Sequence, residues 1–245
     1  MNGYLLIDKD QEWTSSDVVA KLRGILHERR IGHAGTLDPM ATGLLIVMVG
    51  KCTKASDYLM KHDKEYVCTL HLGLETDTQD IWGRPVSDPD SCGKDAKSVT
   101  RAELEEAISG FVGEIEQIPP MYSAIKIKGK KLYEIARRGG EVEREPRKIT
   151  VYSIDILSNE GTDWVLDIQC SSGTYVRTLC HDIGRKLGCG GCMSALRRTQ
   201  IGGLRVEDAH KISEISDERY LLPPDEPLFA LPEAIQRKIM GNMDA

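Results

Sequence analysis

The apolar run Leu44-Leu45-Ile46-Val47-Met48-Val49 follows directly on a glycine-rich stretch. A run of this length without a polar break predicts a strand covered on both faces, so the chain needs a sheet with material on either side of it. The stretch before it reads Gly32-His33-Ala34-Gly35-Thr36-Leu37-Asp38-Pro39-Met40-Ala41-Thr42-Gly43 and is read as a loop. Asp38 is its lone carboxylate. The glycines permit sharp turns or close approach of the backbone. Pro39 fixes its own φ and biases Asp38 toward an extended conformation. An acid on a stiff loop leading into a core strand is well mounted for catalysis. An Asx-turn or a backbone cap is the plainer role for an isolated Asp-Pro pair.

The rest of the chain alternates strands and helices. Tyr4–Ile7 predicts a short strand, and Thr14-x-x-Asp17 has the spacing of a capping box ahead of Val18, Val19, Leu22, Ile25 and Leu26 at helical period. Tyr66, Cys68, Leu70 and Leu72 alternate along a second strand, which leads to the polar loop Gly73–Asp80. Residues 87–98 are rich in Asp, Ser, Pro and Gly and are expected to be exposed. A second capping box, Thr100-x-x-Glu103, opens another helix. Ile149–Leu157 and Trp164–Cys170 predict paired strands, with a turn at Ser158-Asn159-Glu160-Gly161. Val176, Leu179, Ile183 and Leu187 form one helical stripe stopped by Gly188. Ala195–Thr199 predicts a last strand. Strands joined by both hairpins and helices predict an α+β fold with a mixed, mostly antiparallel central sheet flanked by helices and loops.

The 245 residues carry a formal net charge of −6, with 40% hydrophobic residues. That composition is ordinary for a soluble globular protein, and no apolar run approaches a membrane span. The chain begins Met1-Asn2-Gly3-Tyr4, without a signal-peptide pattern. Its seven cysteines are odd in number and scattered, which predicts reduced thiols and a cytoplasmic location. The acidic total hides a basic stretch: Lys126, Lys128, Lys130, Lys131, Arg137, Arg138, Arg144, Arg147 and Lys148 crowd one segment. Such a face can bind phosphates, or it is a solvated surface. Gly43–Lys51 fails as a phosphate loop in spacing and chemistry. Cys189-x-x-Cys192 has metal or redox spacing but no second ligand pair to complete a zinc site.

GHAGTLDPMATGLL resembles the signature of the TruB family of RNA pseudouridine synthases, whose catalytic aspartate sits in G-H-x-G-T-L-D-P-x-A-x-G-L-L. The resemblance continues in family order. Lys64-Glu65-Tyr66 is similar to the K-x-Y element and Gly73–Asp80 to the G-x-x-T-D-T-x-D loop. Ile118–Arg137 looks like the RNA-gripping thumb, Ser172–Leu179 like S-G-T-Y-[IV]-R, and Ser194–Thr199 like the L-R-R-T strand. The family's opening K-P-x-G-x-T-S reads here Lys9-Asp10-Gln11-Glu12-Trp13-Thr14-Ser15, so the usual Pro and Gly are absent. Cys192 stands where relatives often carry histidine.

The resemblance implies a pseudouridine synthase fold over residues 1–205, with a basic thumb insertion at 118–146. Residues 206–245 would form a short C-terminal helical tail rather than a complete PUA domain. It also implies isomerisation of uridine to pseudouridine in the TΨC loop of tRNA, at position 55. Asp38 would be the catalytic carboxylate, Arg177 its ion-pair partner, and Tyr66 the ring packed against the base. His33 would fill the gap left by the flipped nucleotide, and Leu196 would close the pocket. Lys54, Asp80 and Tyr175 would line or support it. Lys126, Lys128, Lys130, Lys131 and Arg137 would contact RNA. The reaction rearranges atoms without redox change, so no cofactor and no metal are expected. A monomer acting on the T-arm of tRNA, with no membrane or nucleotide cofactor as partner, is the expectation. Rival readings are an RNA-folding protein without catalysis and a nucleoside hydrolase. The basic thumb argues against the hydrolase, because a free nucleoside would not need it.

Overall fold

The computed structural model describes residues 1–86, 93–123, 125–127, 129–136 and 138–241, without the side chains of residues 126, 127, 130, 131 and 227. Lys128, Arg137 and residues 87–92, Cys92 among them, therefore lie outside the described residues, as do the side chains of Lys126, Lys130 and Lys131. From the N-terminus, β1 (Gly3–Lys9) leads to α1 (Ser15–Leu26), β2 (Ile31–Ala34) and β3 (Thr42–Val49). A 3-10 segment, Gly50–Ala55, runs into α2 (Ser56–Leu59), followed by β4 (Lys64–Leu72), α3 (Arg101–Ser109) and β5 (Gly113–Gln117). The insertion holds β6 (Lys126–Ile127), β7 (Lys130–Lys131) and α4 (Leu132–Ala136). Then come β8 (Arg147–Glu160), β9 (Asp163–Cys170), α5 (Val176–Leu187), β10 (Gly191–Ile201), β11 (Leu204–Arg205) and α6 (Glu233–Met240). Among the described residues no helix is long and apolar enough to cross a membrane.

The chain forms two compact units, Met1–Tyr66 with Leu196–Ala245, and Val67–Ala195. In the first, the apolar run is β3, and every residue from Gly43 to Val49 is buried. It is paired along both edges. β1 runs antiparallel to it (Leu6↔Ile46), β2 antiparallel (His33↔Val47), and the end of β10 parallel (Arg197↔Thr42, Arg198↔Gly43). Gly43 has φ +100°, and a Cβ there would lie 2.3 Å from the Arg198 carbonyl oxygen. The parallel pairing thus requires glycine at the entry to β3.

Tyr4, Leu6, Leu44, Ile46 and Met48 form one core with Phe229, Leu231 and Ile239. The Tyr4 and Phe229 ring centroids are 4.1 Å apart. Burial of each large apolar side chain contributes about 1.5–3 kcal/mol, so residues after 205 stabilise this unit directly. The expected helical tail is α6 only; much of 206–232 is extended or 3-10, and it pairs with β1 at Leu222↔Tyr4 and His210↔Ile7.

In the second unit the strand order is β10-β4-β9-β8-β5. The alternation of β4 holds, with Cys68, Leu70 and Leu72 buried. The β8–β9 hairpin is tighter than the expected turn: β8 continues through Glu160 and Gly161 turns at φ +61°. Helix α3 packs against α5, and both expected capping boxes are present, Thr14 with Asp17 in the first unit and Thr100 with Glu103 here. Gly184 of α5 lies so close to β10 that a Cβ would meet the Gly191 nitrogen at 2.3 Å. The six described cysteines are buried and form no disulfide among the described residues.

Candidate active site

The site residues expected from the sequence fall in both units. In the first, the Asp38 loop is shorter than the sequence suggests, because Gly32–Ala34 belong to β2. What remains, residues 35–41, is pinned from several elements. Ser15 of α1 accepts from the Leu37 N–H at 2.9 Å and donates to the Leu37 carbonyl at 3.2 Å. The Glu12 N–H donates to the Pro39 carbonyl at 2.8 Å, and the Ala41 N–H closes a turn onto the Asp38 carbonyl at 3.0 Å. Arg198 of β10, fully buried, donates from Nε to the Leu44 carbonyl at 2.7 Å and from Nη2 to the Gly35 carbonyl at 3.1 Å. These bonds all go to the backbone of the loop and its exit into β3.

Lys9 is buried at the end of β1, and its Nζ donates to the Asp10 carbonyl at 2.9 Å and the Trp13 carbonyl at 2.7 Å. Burial lowers its pKa to about 8, against the opposing pull of the Asp38 and Asp10 charges. A lysine whose folded pKa lies below its unfolded value makes the folded state release its proton first. Stability therefore rises with pH between about 8 and 10.5. Urea unfolding across that window should show this rise in the native chain and a smaller one in Lys9→Met; equal slopes would show that Lys9 titrates normally.

His33 points inward from β2. Its Nδ1 is buried and has no hydrogen-bond partner among the described residues. Burial, then the nearby Arg198 charge, lowers its pKa, which favours a neutral ring near pH 7. Tyr66 and Leu196 are both buried, and the Leu196 carbonyl accepts from Thr42 Oγ1 at 3.4 Å. Lys54 is exposed; its Nζ donates to the Lys238 carbonyl at 2.5 Å, in the last turn of α6. A cation there also complements the helix dipole.

The second unit centres on Arg177, in the first turn of α5 and 5% exposed. Its Nη1 donates to the Thr78 carbonyl at 3.0 Å and lies 3.5 Å from Asp80 Oδ2. Its Nη2 donates to the Tyr122 carbonyl at 2.8 Å, at the start of the thumb. Asp80 also accepts from Thr78 Oγ1 at 2.9 Å and from the Trp82 N–H at 3.1 Å. The polar loop 73–80 is thus a buried cradle for a guanidinium rather than a solvated connection. Within it Gln79 adopts φ +63°, and its side chain accepts from Thr178 Oγ1 at 2.8 Å. Tyr175, the residue before α5, has its backbone clamped by Gln117: its N–H donates to Oε1 at 2.8 Å, and its carbonyl accepts from Nε2 at 3.0 Å. Arg144 Nη1 donates to the Pro119 carbonyl at 3.2 Å and closes the base of the insertion. Among the described residues no cluster of three or more potential metal ligands occurs.

Within the second unit Arg177 meets Asp80, and within the first the Asp38 charge acts on Lys9. Sequence reasoning gave no site role to Lys9, Arg198, Ser15 or Gln117. Arg198 and Lys9 do lie inside the motifs that carry the resemblance. Ser15 closes the opening motif, and Gln117 has no local signal.

The α+β fold is that of the pseudouridine synthases. Solved structures agree. A Cbf5-Nop10-Gar1 complex aligns with a TM-score of 0.67 at 30% identity over 96% of this chain, which spans 59% of that protein chain. An H/ACA RNP bound to a substrate RNA containing 2'-deoxyuridine aligns at 0.65 and 28% identity, over 97% of this chain and 58% of the other.

The sequence matches the TruB family pseudouridylate synthase N-terminal domain over residues 23–176 and the tRNA pseudouridylate synthase B C-terminal domain over 177–235. The chain belongs to the TruB family. The tRNA pseudouridine synthase B of Clostridium kluyveri is 43% identical over 96% of this chain and 80% of that protein. That of Opitutus terrae is 48% identical over 88% and 87%.

Proposed function

We propose that this chain converts uridine to pseudouridine in tRNA, at position 55 of the TΨC loop, with Asp38 as the catalytic carboxylate. The observation that carries the reading is the Asp38 loop, whose backbone is bonded from α1, β10 and the Glu12 turn. Such a mount fixes the place of the carboxylate, and relatives in the family are named tRNA pseudouridine synthase B. The reaction cleaves N1–C1′, turns the base and joins C5 to C1′; the proton lost from C5 is balanced by one gained at N1. The carboxylate serves as nucleophile or base. Tyr66 is the ring against the base, and its hydroxyl suits removal of the C5 proton. Arg177 is the cation that keeps the carboxylate ionised. The neutral His33 ring takes the place of the flipped nucleotide.

The direct test is tritium release from unmodified tRNA labelled at uridine C5. Release without free uracil is expected. Free uracil would instead mean hydrolysis, and binding without either would mean an RNA-folding role. The thumb gives a second test. Replacing Lys126, Lys128, Lys130 and Lys131 with Ala should weaken tRNA binding and reduce the slope of log K against log salt by up to ~3. The single-turnover rate at saturating enzyme should change far less. An unchanged slope would make these lysines ordinary solvated surface.

A further inference from the structure

Four charged side chains meet beside the first strand, away from the groups given chemical roles above. Asp8 accepts both arms of Arg197, at 2.9 and 3.0 Å, and lies 3.0 Å from Lys211 Nζ. The same Nζ donates to Asp10 at 2.6 Å. Asp8 and Asp10 thus grip one ammonium between them.

This cluster continues into the Asp38 loop by bonds already described. Asp10 begins a turn whose carbonyls at Asp10 and Trp13 are held by Lys9 Nζ. Inside that turn Glu12 sits at φ +69°, a left-handed conformation that a residue with a Cβ keeps only when its surroundings impose it. In that conformation its N–H reaches the carbonyl of Pro39, the residue after Asp38. Asp10 and Glu12 are also where this chain departs from the Pro and Gly of the family's opening motif. A proline would fix the turn covalently and a glycine would accept the positive φ. This chain has neither, so the turn must be held by contacts.

We propose that Lys211 is a positioning residue for Asp38: by anchoring Asp10 it holds the Asp10–Trp13 turn, and through the Glu12 N–H it fixes the loop that carries the carboxylate. The inference rests on the reading of Asp38 as catalytic. Burial opposes the charge on Lys211, but its bonds to Asp10 and Asp8, and their charges, together raise its pKa, so it stays cationic over the working range. The segment around Lys211 does not depend on this ion pair for its place. The His210 N–H donates to the Leu6 carbonyl, the Asp8 N–H donates to the His210 carbonyl, and Ile212 is buried. Removing the ammonium should therefore loosen the turn without releasing the chain.

The experiment compares native protein, Asp10→Asn, Lys211→Met, the double variant and Lys211→Arg. Each is measured for single-turnover pseudouridine formation at saturating enzyme, for tRNA affinity and for thermal unfolding. Small misplacements of a catalytic group cost large factors in rate. Each single loss should lower the rate about tenfold with tRNA affinity unchanged. The double variant should be no worse than either single one, and arginine should restore most of the rate. Arg101→Gln, which breaks an exposed pair with Glu105 elsewhere, should leave the rate as it was. Unchanged rates in Asp10→Asn and Lys211→Met would overturn the proposal. So would losses that multiply in the double variant, or that appear only as weaker tRNA binding or lower thermal stability. If the native protein itself released no tritium from tRNA, the functional reading would fail and this inference with it. A native rate with unaffected variants would remove only the inference.

Discussion

Asp38→Asn is expected to abolish isomerisation and leave tRNA affinity within a few-fold. The amide keeps the shape of the side chain and loses its charge and basicity. The loop should keep its place, because Ser15, Glu12 and Arg198 all bond its backbone and none needs the carboxylate. A fall of about four orders of magnitude in the single-turnover rate corresponds to roughly 5.4 kcal/mol of lost transition-state stabilisation. Affinity depends on contacts to phosphates elsewhere and should survive. The substitution also removes a negative charge that favours the protonated form of Lys9, so the lysine pKa should fall further. Residual turnover above about one per cent of native would remove Asp38 from the catalytic role. A collapse of tRNA affinity alongside the rate would instead show that the side chain shapes the binding surface.

Arg177→Met should damage both stability and rate. The guanidinium is buried and serves the Thr78 carbonyl, the Tyr122 carbonyl and Asp80 at once. Without it, the Asp80 carboxylate keeps its bonds from Thr78 and Trp82 but stays buried as an uncompensated charge. Breaking a buried ion pair from one side costs about 3–5 kcal/mol, measurable as a shift of the urea midpoint. Changing the partner as well, in Arg177→Met with Asp80→Asn, should recover part of that loss, because a neutral amide is cheaper to bury. The rate should stay low in both. Arg177→Lys keeps the charge but lacks the planar fork of the guanidinium; it should fold better than the methionine variant and still lose at least about a hundredfold in single-turnover rate, roughly 2.7 kcal/mol. Native stability in Arg177→Met would mean the cradle contributes little. A native rate in Arg177→Lys would mean that positive charge alone suffices.

Elements set by near neighbours in the chain were legible in the sequence. Thr14 caps α1 through Asp17 and Thr100 caps α3 through Glu103, each three residues away. Gly188 stops α5 in the left-handed conformation that glycine adopts freely. The apolar run of β3 could only be a covered strand, and the alternation of β4 gave its two faces. Elements defined by a distant partner were not legible. β2 is four residues containing glycine and histidine, and only pairing with β3 makes it a strand. β5 shows one apolar residue between Glu114 and Glu116, because an edge strand is blunted by charge rather than patterned for burial.

The same division runs through the site. The residue types and their order, and so the family, are properties of the sequence: Asp38, Tyr66 and Arg177 stand in long motifs of mixed chemistry. What holds them was decided by folding. Arg177 meets Asp80 across 97 positions, Arg198 reaches Leu44 across 154, and Lys211 reaches Asp10 across 201. Charges so far apart leave no periodic mark on the chain, because their pairing depends on which strands lie side by side. The chain alone specified the chemical groups and the local turns that present them; only the packed sheet decided which cation each carboxylate would face.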